Sequence, residues 1–288
     1  AKKYPDIDMP TAITQIAGRK VAAEKIPSWW EIEKIWYPKH LSLEQCSSEI
    51  TARYKARLLQ GDSLTDLTGG FGIDCSFLAT GFKSATYVER QEELCEIAAH
   101  NFPVLNLNHI NIKNEDGVTY LQAMSPVDCL FLDPARRNEH GGKTVAISDC
   151  EPNVAELEEL LLQKANRVMI KLSPMLDLSL ALKELKQTQE VHILSVNNEC
   201  KELLILLGQT SPTEISIHCV NLSTKGTQEE QHFVFTREQE QCSECTYTDS
   251  LETYLYEPNA SLLKAGAFRS IAAAYPVRKL HPNSHLYT

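Results

Sequence analysis

Four acids recur along the first half of this sequence, each closing a short apolar run: Asp66, Glu89, Asp116 and Asp133. The first stands at the head of a glycine-rich stretch, Asp66-Leu67-Thr68-Gly69-Gly70-Phe71-Gly72, which is followed by an apolar-periodic segment, Cys75 to Ala79. That order reads as strand, tight turn, helix. Glycines at such a turn let the backbone approach a ligand closely, and the helix N-terminus behind them offers unpaired N–H groups. A single acid after a strand is unremarkable, since turns favour Asp. Four of them, one per successive strand or the turn after it, form a pattern.

In an open α/β sheet ligands lie at the carboxyl ends of the strands, where these acids fall. Asp66 is placed to meet an amine. Glu89, 23 positions later in the sequence, suits a bidentate grip on ribose hydroxyls, and Asp116 can accept from an exocyclic adenine amine. The ligand so described is a nucleoside carrying an amino acid. A dinucleotide is the rival, but its G-x-G-x-x-G fingerprint requires a glycine where Cys75 stands, and Asp66 would repel a pyrophosphate. The site chemistry favours S-adenosyl-L-methionine over NAD.

Alternating strands and helices are needed to hold such a row of acids, and the sequence supplies them from 61 to about 207. Strands are expected at 64–67, 85–88, 110–113, 127–132, 167–172, 191–196 and 203–207. Helices are expected from 73, at 91–101, at 154–164 and at 178–185. This alternation predicts a parallel sheet covered on both faces. Ahead of it, residues 1–60 read as a helical segment, with one helix over 11–25 ended by Pro27 and another opening after Ser47 or Ser48. All three tryptophans, Trp29, Trp30 and Trp36, fall in this segment, where packing is favoured over a base-stacking platform. Residues 209–250 read as a small β-rich extension, with strands at 214–221 and 232–236 joined by a polar loop. Residues 254–274 look helical, with Asn259 as the cap.

Composition limits the function classes. The 288-residue chain is 43% hydrophobic and 23% charged, as expected of a globular protein. No apolar run approaches the ~20 residues that span a bilayer, and no signal-peptide core follows Ala1, so a cytoplasmic location is expected. The first residue is not Met, which suggests a trimmed chain or a fragment. Net charge is −10, from 28 Lys and Arg against 38 Asp and Glu, which argues against indiscriminate nucleic-acid binding. Residues 1–60 nevertheless carry 10 Lys and Arg against 7 acids, and residues 251–288 carry 4 against 2. The nine cysteines are scattered, mostly alone in apolar segments, as free thiols in a reducing compartment would be. Cys242 and Cys245 form the one CxxC pair, and no second pair stands at a zinc-site spacing, so no metal is expected.

Residues 45–208 resemble a class I, Rossmann-like S-adenosylmethionine-dependent methyltransferase. Asp66 to Gly72 matches that family's D/E-x-G-x-G-x-G loop, with Thr68 in place of the first glycine. Ser47-Ser48-Glu49-Ile50-Thr51-Ala52 ahead of this loop is similar to the trimethylguanosine-synthase-like branch. The runs Leu132 to Arg137, Lys171 to Met175 and Glu199 to Leu203 resemble a bacterial methyltransferase group that carries a ferredoxin-like insert and a C-terminal THUMP-like domain. Tyr256 to Gly266 is similar to the beginning of that THUMP-like part, which would then be incomplete here. The resemblance implies an α/β fold: a seven-stranded methyltransferase sheet over 61–208, the helical segment at 1–60, a ferredoxin-like extension at 209–250, and the start of a THUMP-like domain at 251–288. It implies cofactor contacts from Asp66, Thr68, Gly70, Phe71, Gly72, Glu89, Arg90, Asp116, Gly117 and Asp133. THUMP-like domains are associated with RNA, so RNA is the implied partner.

Exocyclic-amine methyltransferases of this family carry an Asp/Asn/Ser-Pro-Pro-aromatic tetrad after the fourth strand. Here the residues are Asp133-Pro134-Ala135-Arg136. The acid and first proline are kept, which makes Asp133 the candidate amine acceptor, with the backbone at Pro134 beside it. Arg136, Arg137 and Lys171 are candidates for contact with a base face or phosphate, balanced against ordinary surface ion pairs. His140 lies in a loop that suits either a lid or plain solvent exposure. Cys129 precedes Asp133 on a buried strand and is expected to pack rather than react. The function expected is methyl transfer to an RNA base, at a nitrogen. The alternatives are a small-molecule or protein methyltransferase and a non-catalytic S-adenosylmethionine- or RNA-binding protein.

Overall fold

The computed structural model describes residues 8–136, 146–210, 212–225 and 230–288, with the side chains of residues 40, 41 and 136 also left out. Two compact units emerge. Residues up to Asp133 together with Glu159–Val168 form the first, and Pro134–Glu158 with Met169–Thr288 the second.

Strands of the first unit are β1 (Ser63–Asp66), β2 (Ser84–Glu89), β3 (Ile110–Asn114) and β4 (Val127–Leu132). β1 pairs in parallel with β2 and β4, and β2 in parallel with β3. The last three residues of β1 and the last four of β4 are buried, as befits central parallel strands covered on both faces. The expected strand at 127–132 is found with those bounds, and the helix expected from 73 starts there and ends at Ala79.

The helical N-terminal segment shares a core with the strand-covering helices. A helix at Met9–Lys25 is capped by Asp8, whose carboxylate accepts from the Thr11 N–H. Ala22, Ile26, Trp29, Tyr37 and Leu43 pack in one cluster with Phe71, Ile73 and Phe77 from the glycine turn and the helix after it. Trp29 is 2% exposed and meets the Phe71 ring edge-on at 5.2 Å. Trp30 and Trp36 are about half exposed, and Trp36 stacks on His100 at 3.9 Å. The packing expectation therefore holds for one tryptophan of the three.

After β4 come the short strands β5 (Ala135–Arg136) and β6 (Cys150–Glu151), which pair antiparallel with each other. They are followed by β7 (Ala165–Leu172), β8 (Thr188–Val196), β9 (Glu199–Gly208), β10 (Ser216–Leu222) and β11 (Glu230–Thr236). Among the described residues the main sheet has nine strands, in the order β11-β10-β8-β9-β7-β4-β1-β2-β3. The expected seven-stranded sheet is corrected on this point. β10 runs parallel to β8 along its whole length and β11 closes antiparallel on β10, so the β-rich segment extends the main sheet.

The sheet is also mixed rather than parallel throughout. β8 and β9 form an antiparallel hairpin whose two turn residues, Asn197 and Asn198, have φ of 50° and 65°. Both residues in left-handed conformation is the signature of a type I′ turn, for which Asn is among the best-suited residues. The helix expected over 254–274 is two helices, Ala260–Ala265 and Phe268–Ala274, broken at Gly266 with φ of 75°. Asn259 does cap the first, its Oδ1 accepting from the Leu262 N–H. Among the described residues no helix is long and apolar enough to cross a membrane.

Candidate functional site

Strand order β4-β1-β2-β3 brings the four acids side by side. In register, Asp66 lies opposite Tyr87 on β2 and Phe131 on β4, and Glu89 lies opposite Asn114 on β3. Asp133 follows β4, Asp66 ends β1, Glu89 ends β2, and Asp116 follows β3 by two residues. Three inter-strand steps of ~4.8 Å make this row roughly 14 Å long.

Asp66 is 1% exposed. Its Oδ1 accepts from the Thr68 N–H at 3.0 Å, while its Oδ2 is buried without a hydrogen-bond partner among the described residues. Burial pushes its carboxyl well above the ordinary aspartate range. The Thr68 N–H opposes this shift, and the neighbouring charges of Asp74, Asp133 and Glu89 reinforce it. The site thus presents a buried carboxyl oxygen that a ligand's donor would satisfy.

Glu89 is doing something the sequence did not suggest. Its Oε2 accepts from the Gly70 N–H at 2.9 Å and its Oε1 from the Gln91 N–H at 2.8 Å. The residue expected to grip ribose therefore also brackets the glycine turn. Asp116 has a similar second role. Its Oδ1 accepts from the N–H groups of Val118 and Thr119 and caps the helix Gly117–Ala123. Gly117 itself is required by close approach, because a Cβ there would stand 2.2 Å from the Leu67 carbonyl oxygen.

The turn is held together from within. The Gly69 N–H donates to the Val88 carbonyl at 2.9 Å, and the Gly72 N–H to the Gly69 carbonyl at 2.9 Å. The Tyr87 hydroxyl donates to the Gly70 carbonyl. Gly70 and Gly72 have φ of 54° and 85°, which explains glycine at both. Gly69, absent from the expected contacts, is the most constrained: a Cβ would lie 2.2 Å from the Tyr87 ring. Thr68 departs from the family glycine for a visible reason. Its Oγ1 accepts from the Asp133 N–H at 2.6 Å, tying the turn to the end of β4. The Phe71 side chain belongs to the core beside Trp29 and Tyr37.

Behind the turn lies a buried polar group that sequence reasoning missed. Lys55, 0% exposed, pairs with Asp74 at 2.9 Å. Ser47 sits between them, accepting from Lys55 Nζ at 2.8 Å and donating to Asp74 Oδ2 at 2.6 Å. The network joins the helix Glu49–Ala56 to the helix Ile73–Ala79 that the turn starts. A lysine in a polar-looking helix reads as surface, and only the tertiary fold reveals its partner.

Arg90 is exposed just beyond β2. Lys171, near the end of β7, is 8% exposed and belongs to the second unit. The backbone of Arg136 lies on β5, while its side chain, Arg137 and the His140 loop fall outside the described residues. Cys129 is 1% exposed, and burial pushes its thiol up to about 11, in keeping with packing. Cys242 and Cys245 are free thiols.

A ferredoxin-like domain profile matches residues 254–288. No curated protein matches the chain. Among solved structures, a protein of Porphyromonas gingivalis W83 assigned as a methyltransferase is 38% identical, with a TM-score of 0.88, over 98% of this chain and 72% of that one. An rRNA methylase of Streptococcus thermophilus is 15% identical over 55% of this chain and 93% of its own, with a TM-score of 0.39. A protein of Streptococcus mutans assigned as a methyltransferase, in complex with SAH, is 13% identical over 56% and 96%, with a TM-score of 0.39. On the first of these likenesses, which runs through the acid row and the glycine turn, the chain belongs to the same methyltransferase family as the P. gingivalis protein.

Proposed function

We propose that this chain transfers a methyl group from S-adenosyl-L-methionine to a base of RNA, at a nitrogen. The observation that carries the cofactor is the buried Asp66 Oδ2 without a hydrogen-bond partner among the described residues. The N–H groups of Thr68, Gly69, Gly70 and Gly72 all bond within the protein. The strand ends beside them present a row of acceptors. A pyrophosphate would meet carboxylates, whereas an ammonium group would supply the missing donor and relieve the charge.

In this reading Asp66 accepts from the amino group of the ligand's amino-acid moiety. Glu89 keeps the turn in shape and turns its remaining lone pairs to ribose hydroxyls. When bound, S-adenosyl-L-methionine supplies a methyl group already activated on a sulfonium, so the protein's task is alignment. Asp133 and the carbonyl of Pro134 accept from the target amine and hold its nitrogen toward the donor. The RNA assignment is supported by the resemblance of the Leu132–Arg137 and Lys171–Met175 runs to the bacterial group with RNA-associated C-terminal domains, and by the basic balance of the two chain ends.

Calorimetry with S-adenosyl-L-methionine and with NAD tests the cofactor; heat with NAD alone would overturn it. For the substrate, RNA from a deletion strain is incubated with the protein and labelled cofactor, and its nucleosides are resolved by mass spectrometry. An N-methylated nucleoside is expected, and Asp133→Ala should abolish it while largely keeping cofactor affinity. Label entering protein or small molecules, or binding without transfer, would replace the RNA assignment.

A further inference from the structure

Away from the acid row, the second unit carries three histidines on neighbouring strands. His192 on β8 and His218 on β10 are Cα partners across the parallel pair. His232 on β11 lies diagonally from His218, two residues along from that histidine's own partner Val234. Because side chains alternate along a strand, these positions share one face of the sheet, and Glu190, two residues before His192, joins them. The structure brings the ring atoms together accordingly. His218 Nδ1 lies 3.0 Å from His232 Nε2, and His192 Nε2 lies 3.2 Å from Glu190 Oε2. The His192 and His218 rings stack at 4.2 Å.

We propose that His192 and His218, with Glu190, form a binding site for a divalent transition metal of the zinc class, and that His232 positions His218 beside it. Tetrahedral zinc with bonds of ~2.0–2.1 Å holds its donor atoms ~3.3 Å apart, close to the 3.2 Å between His192 Nε2 and Glu190 Oε2. Glu190, His192 and His218 can each present one ligand atom, and these atoms lie within 4.8 Å of one another. Two imidazoles and a carboxylate make a donor set that zinc accepts. His232, whose Nε2 faces His218 Nδ1, stands next to that set and orients the His218 ring.

Burial is graded across the group. His192 is 2% exposed, His218 is half-buried and His232 is exposed, which leaves an approach from the β11 side. No local pattern marks the site, because its ligands come from two strands, β8 and β10, and it involves neither Cys242 nor Cys245.

The test uses the full chain, stripped with a chelator and titrated with Co²⁺ and then with Zn²⁺ in competition. One Co²⁺ per chain is expected, with tetrahedral visible bands and no sulfur-to-metal charge transfer. His218→Ala should remove these bands. His232→Ala, at an exposed position, should keep the fold by circular dichroism and weaken binding at least about tenfold, the scale on which outer-shell partners act. Cys242→Ser/Cys245→Ser should bind as the parent does. Failure to bind Co²⁺, binding unchanged in His232→Ala, or loss of binding in the cysteine variant would each overturn the proposal.

Discussion

Replacing Asp66 by Asn should stabilise the free protein and weaken its cofactor binding. The two effects have one origin. Asp66 Oδ1 is used by the Thr68 N–H, and an amide oxygen can keep that bond. Oδ2 is buried with no partner, among the like charges of Asp74, Asp133 and Glu89. An orphaned buried polar atom costs about 1–3 kcal/mol, and more when it is charged. The Asn amino group is also orphaned, but it is neutral, so the variant should gain about 1–2 kcal/mol near pH 7. Binding moves the other way. A hydrogen bond between an ammonium and a carboxylate contributes about 1.5–3 kcal/mol, and weakening it should reduce affinity roughly tenfold to a hundredfold.

The pH dependence fixes the sign. A carboxyl whose folded pKa is raised binds more protons folded than unfolded in the interval between the two values, so wild-type stability falls as pH rises through that interval. The advantage of Asn should therefore be complete above the folded pKa of Asp66. It should vanish as pH falls below the unfolded value of about 3.9. Urea unfolding of both proteins across this range gives the difference directly, and calorimetry with S-adenosyl-L-methionine gives the affinities. An Asn variant that is less stable at neutral pH, or that binds the cofactor as well as wild type, would refute the assignment of Asp66 as a held-open acceptor.

Other substitutions probe how the turn is built. Glu89→Gln should lower stability and cofactor affinity together, because an amide NH₂ must face either the Gly70 or the Gln91 N–H; a loss of about 1–3 kcal/mol in urea unfolding is expected. Gly69→Ala drives a methyl group into the buried Tyr87 ring and should cost about 1–3 kcal/mol or more. Gly81→Ala, whose Cβ would meet nothing nearer than 3.7 Å, should be close to neutral in the same melts. Lys55→Met strands Asp74 in the interior and should cost about 3–5 kcal/mol, whereas Lys55→Met/Asp74→Leu should recover most of it in a double-mutant cycle.

How much of this was legible depended on whether the signal was local. The strand, turn and helix from Ser63 to Ala79 could be read almost to the residue, because glycine placement and apolar periodicity agree there. The β8–β9 hairpin reads in sequence as part of a parallel pattern, though its strands pair antiparallel. Both strands are buried along most of their length, so neither shows the alternation that marks an antiparallel edge. The Asn197-Asn198 turn was the available clue. Lys55 with Asp74 and the three histidines had no local signal at all, since each depends on partners far away in sequence.

The glycine turn shows where a motif's sequence and its chemistry part ways. A glycine-rich turn before a helix offers backbone N–H groups, and from the sequence that is an invitation to an anion. In the folded chain four of these groups, those of Thr68, Gly69, Gly70 and Gly72, are claimed by Asp66, Glu89, the Val88 carbonyl and the Gly69 carbonyl. Thr68 extends the same closure by accepting the Asp133 N–H, which a glycine could not do. The acids that seemed to be waiting for ribose and amine are thus first of all the braces of the turn. Their braced state leaves one buried oxygen, Asp66 Oδ2, still needing a donor. A turn with these four donors bonded internally and a buried carboxyl oxygen at its head favours a ligand that brings a donor, which adds to the missing third glycine in disfavouring a pyrophosphate.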